Sequence, residues 1–169
     1  GALTVAEVIQ KSSNIGSAKM ALSMPPEEMW KMFDALRFGS APKLGFPGEA
    51  SGRLRPARIW RPIEQATMSY GHGISVTLMQ IAQAYLAFAR DGDLIPISLS
   101  KVYVAPGHGR AVFSAKTARA IRQMLETVTQ VGGTATQAQV PGYRVGGKTG
   151  TAYKLEGGQY ARKYVASFV

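Results

Sequence analysis

The chain of 169 residues has no cysteine, only two histidines, and 10 acidic side chains against 20 lysines and arginines. Without cysteine there is no thiol nucleophile, no disulfide and no cysteine-ligated zinc. The two histidines, His72 and His108, stand apart in sequence, so a histidine-built metal centre is not expected. A long apolar run is missing too. The longest uncharged stretch, residues 65–89, is broken by Gly71, His72, Gly73 and three glutamines, which does not read as a bilayer span. Nor does the sequence open with a charged segment followed by an apolar one, as a secretory leader does. If the protein is exported or anchored, that segment lies outside these residues. The lack of cysteine is compatible with an oxidising compartment.

What is present is an ordinary globular composition, 46% hydrophobic and 18% charged, enough for one domain or a large part of one. The net charge of +10 favours anionic partners such as nucleic acid, acidic lipid or an anionic polymer. The charges are scattered, however, and the densest group (Arg53, Arg55, Arg58, Arg61) sits in a Gly/Pro-rich stretch. No nucleic-acid-reading module accompanies them, so no specific nucleic-acid site is expected.

Thr4 and Glu7 have capping-box spacing and open a short helix through Ile9. It runs into Ser12, Ser13 and Asn14, which suit helix caps better than helix interiors. A second helix follows over Ile15, Ala18 and Leu22, until Pro25 and Pro26 stop it and pre-set a third with Glu27 and Glu28 in its first turn. Met29, Met32, Phe33 and Leu36 form an apolar stripe that reads as core, and Gly39 ends that helix. Residues 39–62 read as loop. A buried helix is expected from Ser75 or Thr77 through Leu78, Ile81, Ala82 and Tyr85 to Asp91–Gly92. Residues 94–104 read as extended, confined to an edge by Pro96, and 111–113 as a short strand. Ser114 caps a helix carrying Ala118, Ile121, Leu125 and Val128. A strand over 143–155, a Gly157–Gly158 turn and a strand over 164–169 complete an α+β pattern with no internal repeat.

The stretch GYRVGGKTGTAYK, residues 142–154, fits two incompatible motifs. As G-x-x-x-x-G-K-T it matches a phosphate-cradling P-loop. A P-loop needs a buried strand before it and a helix after it. Here QAQVP precedes and GTAYKLEGG follows, and neither fits. No aspartate ends an apolar strand to hold Mg²⁺ either: Asp34, Asp91 and Asp93 follow WKMF, AFAR and RDG. As K-T-G, at Lys148, Thr149 and Gly150, it asks for a strand edging an acyl-transfer cleft, and the context agrees. Gly146 and Gly147 remove side chains beside the lysine, and Gly150 leaves room for a substrate backbone. A three-letter match is weak alone. Its companion is S-x-N at Ser12, Ser13 and Asn14, which read by itself is also a plain helix cap.

Those two motifs, in this order and with SSNIGSAKMAL, GFPGEASG, WRPIEQATMSYGHG and GGKTGTAYK along the chain, resemble the transpeptidase domain of class B penicillin-binding proteins. Within that family the likeness is to the cell-division peptidoglycan D,D-transpeptidases of Gram-negative bacteria. It covers nearly all of the sequence. The second motif is S-S-N rather than S-D-N, which leans away from class A β-lactamases, and no deacylating glutamate motif is recognisable. Leu78 departs from the proline that many relatives carry after the threonine, with a local effect expected at the helix start.

The resemblance implies the penicillin-binding (serine β-lactamase-like) fold, in part: a mostly helical region plus two strands of a five-stranded antiparallel sheet. All of residues 1–169 would belong to one transpeptidase domain. The family's nucleophile is the serine of S-x-x-K, one helical turn from its lysine, and it would lie upstream of Gly1. Two S-x-x-K strings do occur, Ser40 to Lys43 and Ser98 to Lys101, but one is in a Gly/Pro loop and the other in an extended stretch, and both follow S-x-N. They read as decoys, so the chain alone is expected to be inactive. By resemblance Ser12 passes protons to the leaving amine, Asn14 holds the substrate side-chain amide, and Lys148 supplies positive potential and hydrogen-bonds Ser12. Thr149, Gly150 and Thr151 receive the substrate, the threonine hydroxyls taking the terminal carboxylate and the Thr151 N–H facing the oxyanion. Tyr70, Gly71, His72 and Gly73 line the cleft. No cofactor or metal is implied. Expected partners are the D-Ala-D-Ala stem peptide, β-lactams and, for the parent, divisome membrane proteins at the periplasmic face of the inner membrane. The exposed edge of YVASFV is expected to drive self-association. A non-enzymatic alternative is a binding or assembly module whose +10 charge serves an anionic polymer or lipid.

Overall fold

Helix α1 (Val5–Gln10) starts as its capping box requires. Thr4 Oγ1 accepts the Glu7 N–H at 3.2 Å, and the Glu7 carboxylate accepts the Thr4 N–H at 2.8 Å. The structure, a computed structural model, describes residues 1–104, 106–157 and 159–169. Helices α2 (Asn14–Leu22) and α3 (Pro26–Ala35) follow, the latter set by its proline and two first-turn glutamates. Met29, Phe33 and Leu36, at i, i+4 and i+7, face the core, while Met32 flanks that line and stays 38% exposed.

A helix with no counterpart among the expected elements comes next. Loop 39–61 holds a short 3-10 turn (Ala57–Ile59) and an isolated antiparallel bridge from Arg53 to Ser75, and α4 (Pro62–Met68) starts directly after it. Its N-terminus carries Pro62 at the first helical position and Glu64 at the third, where the carboxylate accepts the Arg61 N–H at 2.8 Å. Glu64 also pairs with Arg55 at 2.7 Å. Through the Arg61 N–H and then the Arg55 guanidinium, its carboxyl is lowered to about 2. Two of the four clustered arginines are therefore engaged within the fold. From α4, Gln65 donates to the carbonyls of Ala21 and Met24 at 2.8 and 2.9 Å, tying the end of α2 to α4.

Helix α5 (Leu78–Ala89) has its cap at Thr77, whose Oγ1 accepts the Gln80 N–H. Its buried face is Gln80, Gln83, Ala84 and Ala87, not the expected Leu78 and Ala82, which are exposed. The reason is polar. The Gln80 amide lies within hydrogen-bond distance of the Arg37, Ser40 and Ser51 carbonyls, at 3.2, 2.9 and 2.9 Å, so a hydrophilic residue fills the centre of the interface.

Strands β1 (Asp93–Leu94) and β2 (Arg110–Ala111) form an antiparallel pair, Asp93 opposite Ala111. The longer strand expected over 94–104 does not form, because Pro96 offers no N–H and Ser98 turns the chain by accepting the Ser100 N–H at 3.1 Å. The ladder also ends at Ala111: the N–H groups of Val112 and Phe113 both go to the Gly92 carbonyl, at 2.8 and 3.0 Å. Helix α6 (Ala115–Thr129) is capped by Ser114, with Ala118 and Val128 fully buried. Strands β3 (Thr149–Glu156) and β4 (Gln159–Phe168) pair antiparallel, with Thr149 opposite Phe168 and an irregularity between Tyr153 and Leu155. Of the strand expected over 143–155, residues 143–148 remain outside β3, while β4 starts five residues earlier than expected. Gly158, half of the expected turn, lies outside the described residues.

The chain forms two compact units. The helical unit, Asn14–Ile121, has one core around Ala21, Met29, Ala57, Trp60 and Met68 and another around Leu36, Ala84, Ala87 and Leu94. The other unit joins Gly1–Ser13 to Arg122–Val169 and contains α1, the end of α6, β3 and β4.

Candidate active site

Helix α1 ends in a Schellman arrangement. The Ser13 N–H donates to Val8 O at 3.0 Å and the Ser12 N–H to Ile9 O at 3.2 Å. Its left-handed position, ordinarily glycine, is Ser12, with φ 53°. A non-glycine residue there costs roughly 1–2 kcal/mol, and Ser12 carries a side chain that glycine lacks. Its Oγ accepts a hydrogen bond from Lys148 Nζ at 2.7 Å, across 136 positions of sequence. The distance is that of a direct charge-assisted bond. Because the ammonium donates, the Ser12 hydroxyl keeps its own proton for another acceptor.

Lys148 itself is fixed by the end of the sheet. Its N–H donates to Val169 O at 2.9 Å and its carbonyl accepts the Val169 N–H at 3.2 Å. A second ammonium proton reaches Thr149 O at 2.9 Å. Burial holds the lysine below its ordinary value of 10.5. Since residues 148 and 169 exchange both backbone bonds, antiparallel alternation turns the N–H groups of Thr149 and Thr151 away from β4. Among the described residues no strand pairs with that edge of β3. The Thr149 hydroxyl lies 2.7 Å from the Thr134 hydroxyl, while Gly150 and Thr151 are exposed.

The glycines before the lysine have a different purpose from the one the sequence suggested. A Cβ on Gly147 would fall 2.3 Å from the Phe168 ring and 2.4 Å from Val169 O, and one on Gly146 would crowd Glu126 and Leu125. They admit β4 and α6, not a ligand. At Gly150 the nearest atom to an added Cβ is the movable Ser167 Oγ, at 2.7 Å.

The remaining expected residues belong to the helical unit. Asn14 is the exposed first residue of α2. Tyr70, Gly71, His72 and Gly73 form the turn after α4, with Gly71 and Gly73 at φ 99° and 86° and the Tyr70 and His72 rings edge to face at 5.6 Å. Neither Ser40 nor Ser98 is on a helix, so neither S-x-x-K string has the one-turn geometry that the motif needs. Nor is the P-loop geometry present, since Thr149 opens a strand. A concavity of about 410 Å³, lined by Glu126, Thr129, Gln139, Tyr143, Arg144 and Val145 among others, does not include Ser12 or Lys148.

A serine hydroxyl is thus held by the lysine that directly precedes β3, beside a strand edge with outward N–H groups. Residues 1–169 match the penicillin-binding protein transpeptidase domain family, and the chain belongs to it. Its fold is the α+β fold of that family, in part. The transpeptidase domain of penicillin-binding protein 3 from Burkholderia pseudomallei superimposes with a TM-score of 0.94 at 58% identity, over 99% of this chain and 51% of that one. The chain is 47% identical over 168 residues to the probable peptidoglycan D,D-transpeptidase PenA of Neisseria gonorrhoeae, covering 99% of this chain and 29% of the relative. It is 39% identical over 165 residues to the peptidoglycan D,D-transpeptidase FtsI of Escherichia coli K12, covering 97% of this chain and 28% of the relative. The chain thus spans less than a third of the length of these curated relatives.

Proposed function

We propose that these residues form the S-x-N and K-T-G side of a peptidoglycan D,D-transpeptidase site that cross-links stem peptides during septal wall synthesis and that β-lactams acylate. The observation that carries the reading is the 2.7 Å bond between Lys148 and Ser12. In the reaction, the Oγ of an S-x-x-K serine bonds to the penultimate D-Ala carbonyl carbon. The peptide C–N bond breaks, and the departing D-Ala amine takes a proton through Ser12. A neighbouring stem-peptide amine then bonds to the acyl carbon, the ester C–O bond breaks, and the proton returns to the serine. Lys148 keeps the Ser12 hydroxyl oriented and attracts the substrate carboxylate. The hydroxyls of Thr149 and Thr151 bind that carboxylate, and the outward Thr151 N–H faces the oxyanion. Gly150 leaves room for the substrate backbone. Asn14 holds the substrate amide, and Tyr70, Gly71, His72 and Gly73 line the cleft. The acylating serine is not Ser40 or Ser98, so these residues work within a protein that supplies it, at the periplasmic face of the inner membrane and with division proteins as partners.

The test is acylation by a fluorescent penicillin in the protein that carries the S-x-x-K serine. Lys148→Ala is expected to slow acylation by about 10²–10³, as removal of a comparable oxyanion-site group does, while the melting temperature is retained. Acylation at the unmodified rate would remove Lys148 from the mechanism.

A further inference from the structure

The Ser12–Lys148 pair is built from opposite ends of the chain, yet both partners are mounted on one turn of α6. On the Ser12 side, Gln10 at the end of α1 donates to Thr127 O at 3.4 Å. On the Lys148 side, the Gly147 N–H donates to Leu125 O at 3.2 Å, and Arg144 grips the Glu126 carboxylate through two nitrogens, the shortest contact being 2.8 Å. Thr129, the last residue of α6, is only 3% exposed. Its hydroxyl lies 2.8 Å from Val145 O and 3.0 Å from Glu126 O, so its single proton is shared between the loop and the helix. Its carbonyl in turn accepts the Gln139 side-chain amide at 2.8 Å.

This geometry matters because residues 144–147 contain two glycines and no regular structure. From the far side Lys148 is held by the ladder bonds with Val169. With the hydroxyl of Thr129 removed, Val145 O would be left beside a buried methyl group, next to a cavity of about 410 Å³ into which the loop can relax. A displacement of the loop carries the Lys148 backbone with it, and the ammonium then leaves Ser12.

We propose that Thr129 is a positioning residue for acyl transfer: through Val145 it sets where Lys148 stands relative to Ser12, with Arg144 on Glu126 as its exposed reinforcement. The proposal rests on the transpeptidase reading above and names no contact between Thr129 and substrate.

The experiment compares Thr129→Val, which keeps the volume and loses the donor, with Thr129→Ser, which keeps the donor. Both are placed in the protein that carries the acylating serine, and its acylation by a fluorescent penicillin is resolved into non-covalent affinity and acylation rate constant. Thr129→Val is expected to lower the rate constant by about ten-fold, since a misplacement of 1 Å or less is worth this much, with the affinity little changed. It is also expected to move the alkaline limb of the pH profile, which reports the surroundings of Lys148. Thr129→Ser is expected to restore both. A role confined to stability would lower the melting temperature while leaving rate constant and profile unmoved at a temperature where the protein is folded, and that result overturns the proposal. Should Thr129→Val not fold, Arg144→Ala at the exposed end of the strut serves instead: a smaller drop with the same displacement of the limb supports the proposal, and an unmodified profile overturns it. Lys148→Ala separates the two levels. If it acylates normally, the transpeptidase reading itself fails; if it is inert while Thr129→Val and Arg144→Ala behave as unmodified protein, only the positioning role fails.

Discussion

The helical unit and the strand-bearing unit are held together by different physics. In the helical unit, apolar side chains such as Met29, Trp60 and Met68 are buried, and glutamines at 65, 80 and 83 are satisfied by loop and helix carbonyls. In the other, β3 and β4 leave Tyr153 and Tyr164 at 50% and 55% exposure, and the decisive contacts are hydrogen bonds onto the end of α6. Burial makes the first unit stable, whereas directional bonds make the second accurate. Stability and activity are therefore expected to respond to different substitutions.

The largest stability effect is expected in the helical unit. Met68 is 3% exposed in the first core cluster, and Met68→Ala is expected to cost about 2–5 kcal/mol. Denaturant unfolding measures it. A loss below about 1 kcal/mol would mean that the core is looser than its burial indicates. Acylation per folded molecule is expected to persist, because the bond from Met68 to the Tyr70–Gly73 turn is its backbone carbonyl, which accepts the Gly71 N–H at 3.1 Å and which alanine keeps.

A smaller effect of opposite sign is expected at Ser12. Ser12→Gly relieves the left-handed backbone and is expected to raise stability by about 1 kcal/mol, while acylation falls because Lys148 loses the Ser12 hydroxyl and keeps only the Thr149 carbonyl of its two acceptors named above. Calorimetry beside penicillin labelling would reveal whether the two properties move apart. A variant both less stable and fully active would erase the distinction between the units at the residue where it is sharpest.

Much of the fold was legible because local chemistry and tertiary structure agree. Thr4 with Glu7 caps α1 where their spacing predicted, Thr77, one of two candidate caps, opens α5, and the prolines at 25 and 26 separate α2 from α3. Of the candidate site, K-T-G and S-x-N pointed to Lys148 and Ser12, which the fold brings to within 2.7 Å of each other. Less visible were features that depend on long-range polar contacts. Nothing local distinguishes Gln80 as the centre of an interface, and α4 is short enough to pass for loop, although Pro62 and Glu64 were its signal. Thr129 sits beside Val128 in an amphipathic helix, and its role rests on a carbonyl 16 residues away. Residues 143–148 read as strand by their irregular alternation, but the Tyr143 N–H turns back to Val140 O, the Gly147 N–H goes to α6 and Lys148 bonds with Val169.

The most direct measurement of the account is a double-mutant cycle between Ser12→Ala and Lys148→Ala, read as the rate constant of penicillin acylation in the protein that carries the S-x-x-K serine. Residues joined by one hydrogen bond act as a unit and are strongly non-additive. The double variant is therefore expected to acylate about as slowly as the slower single one, with a coupling of at least about 1 kcal/mol. Independent, additive losses would contradict the claim that the bond between Lys148 and Ser12 is the working element of this site.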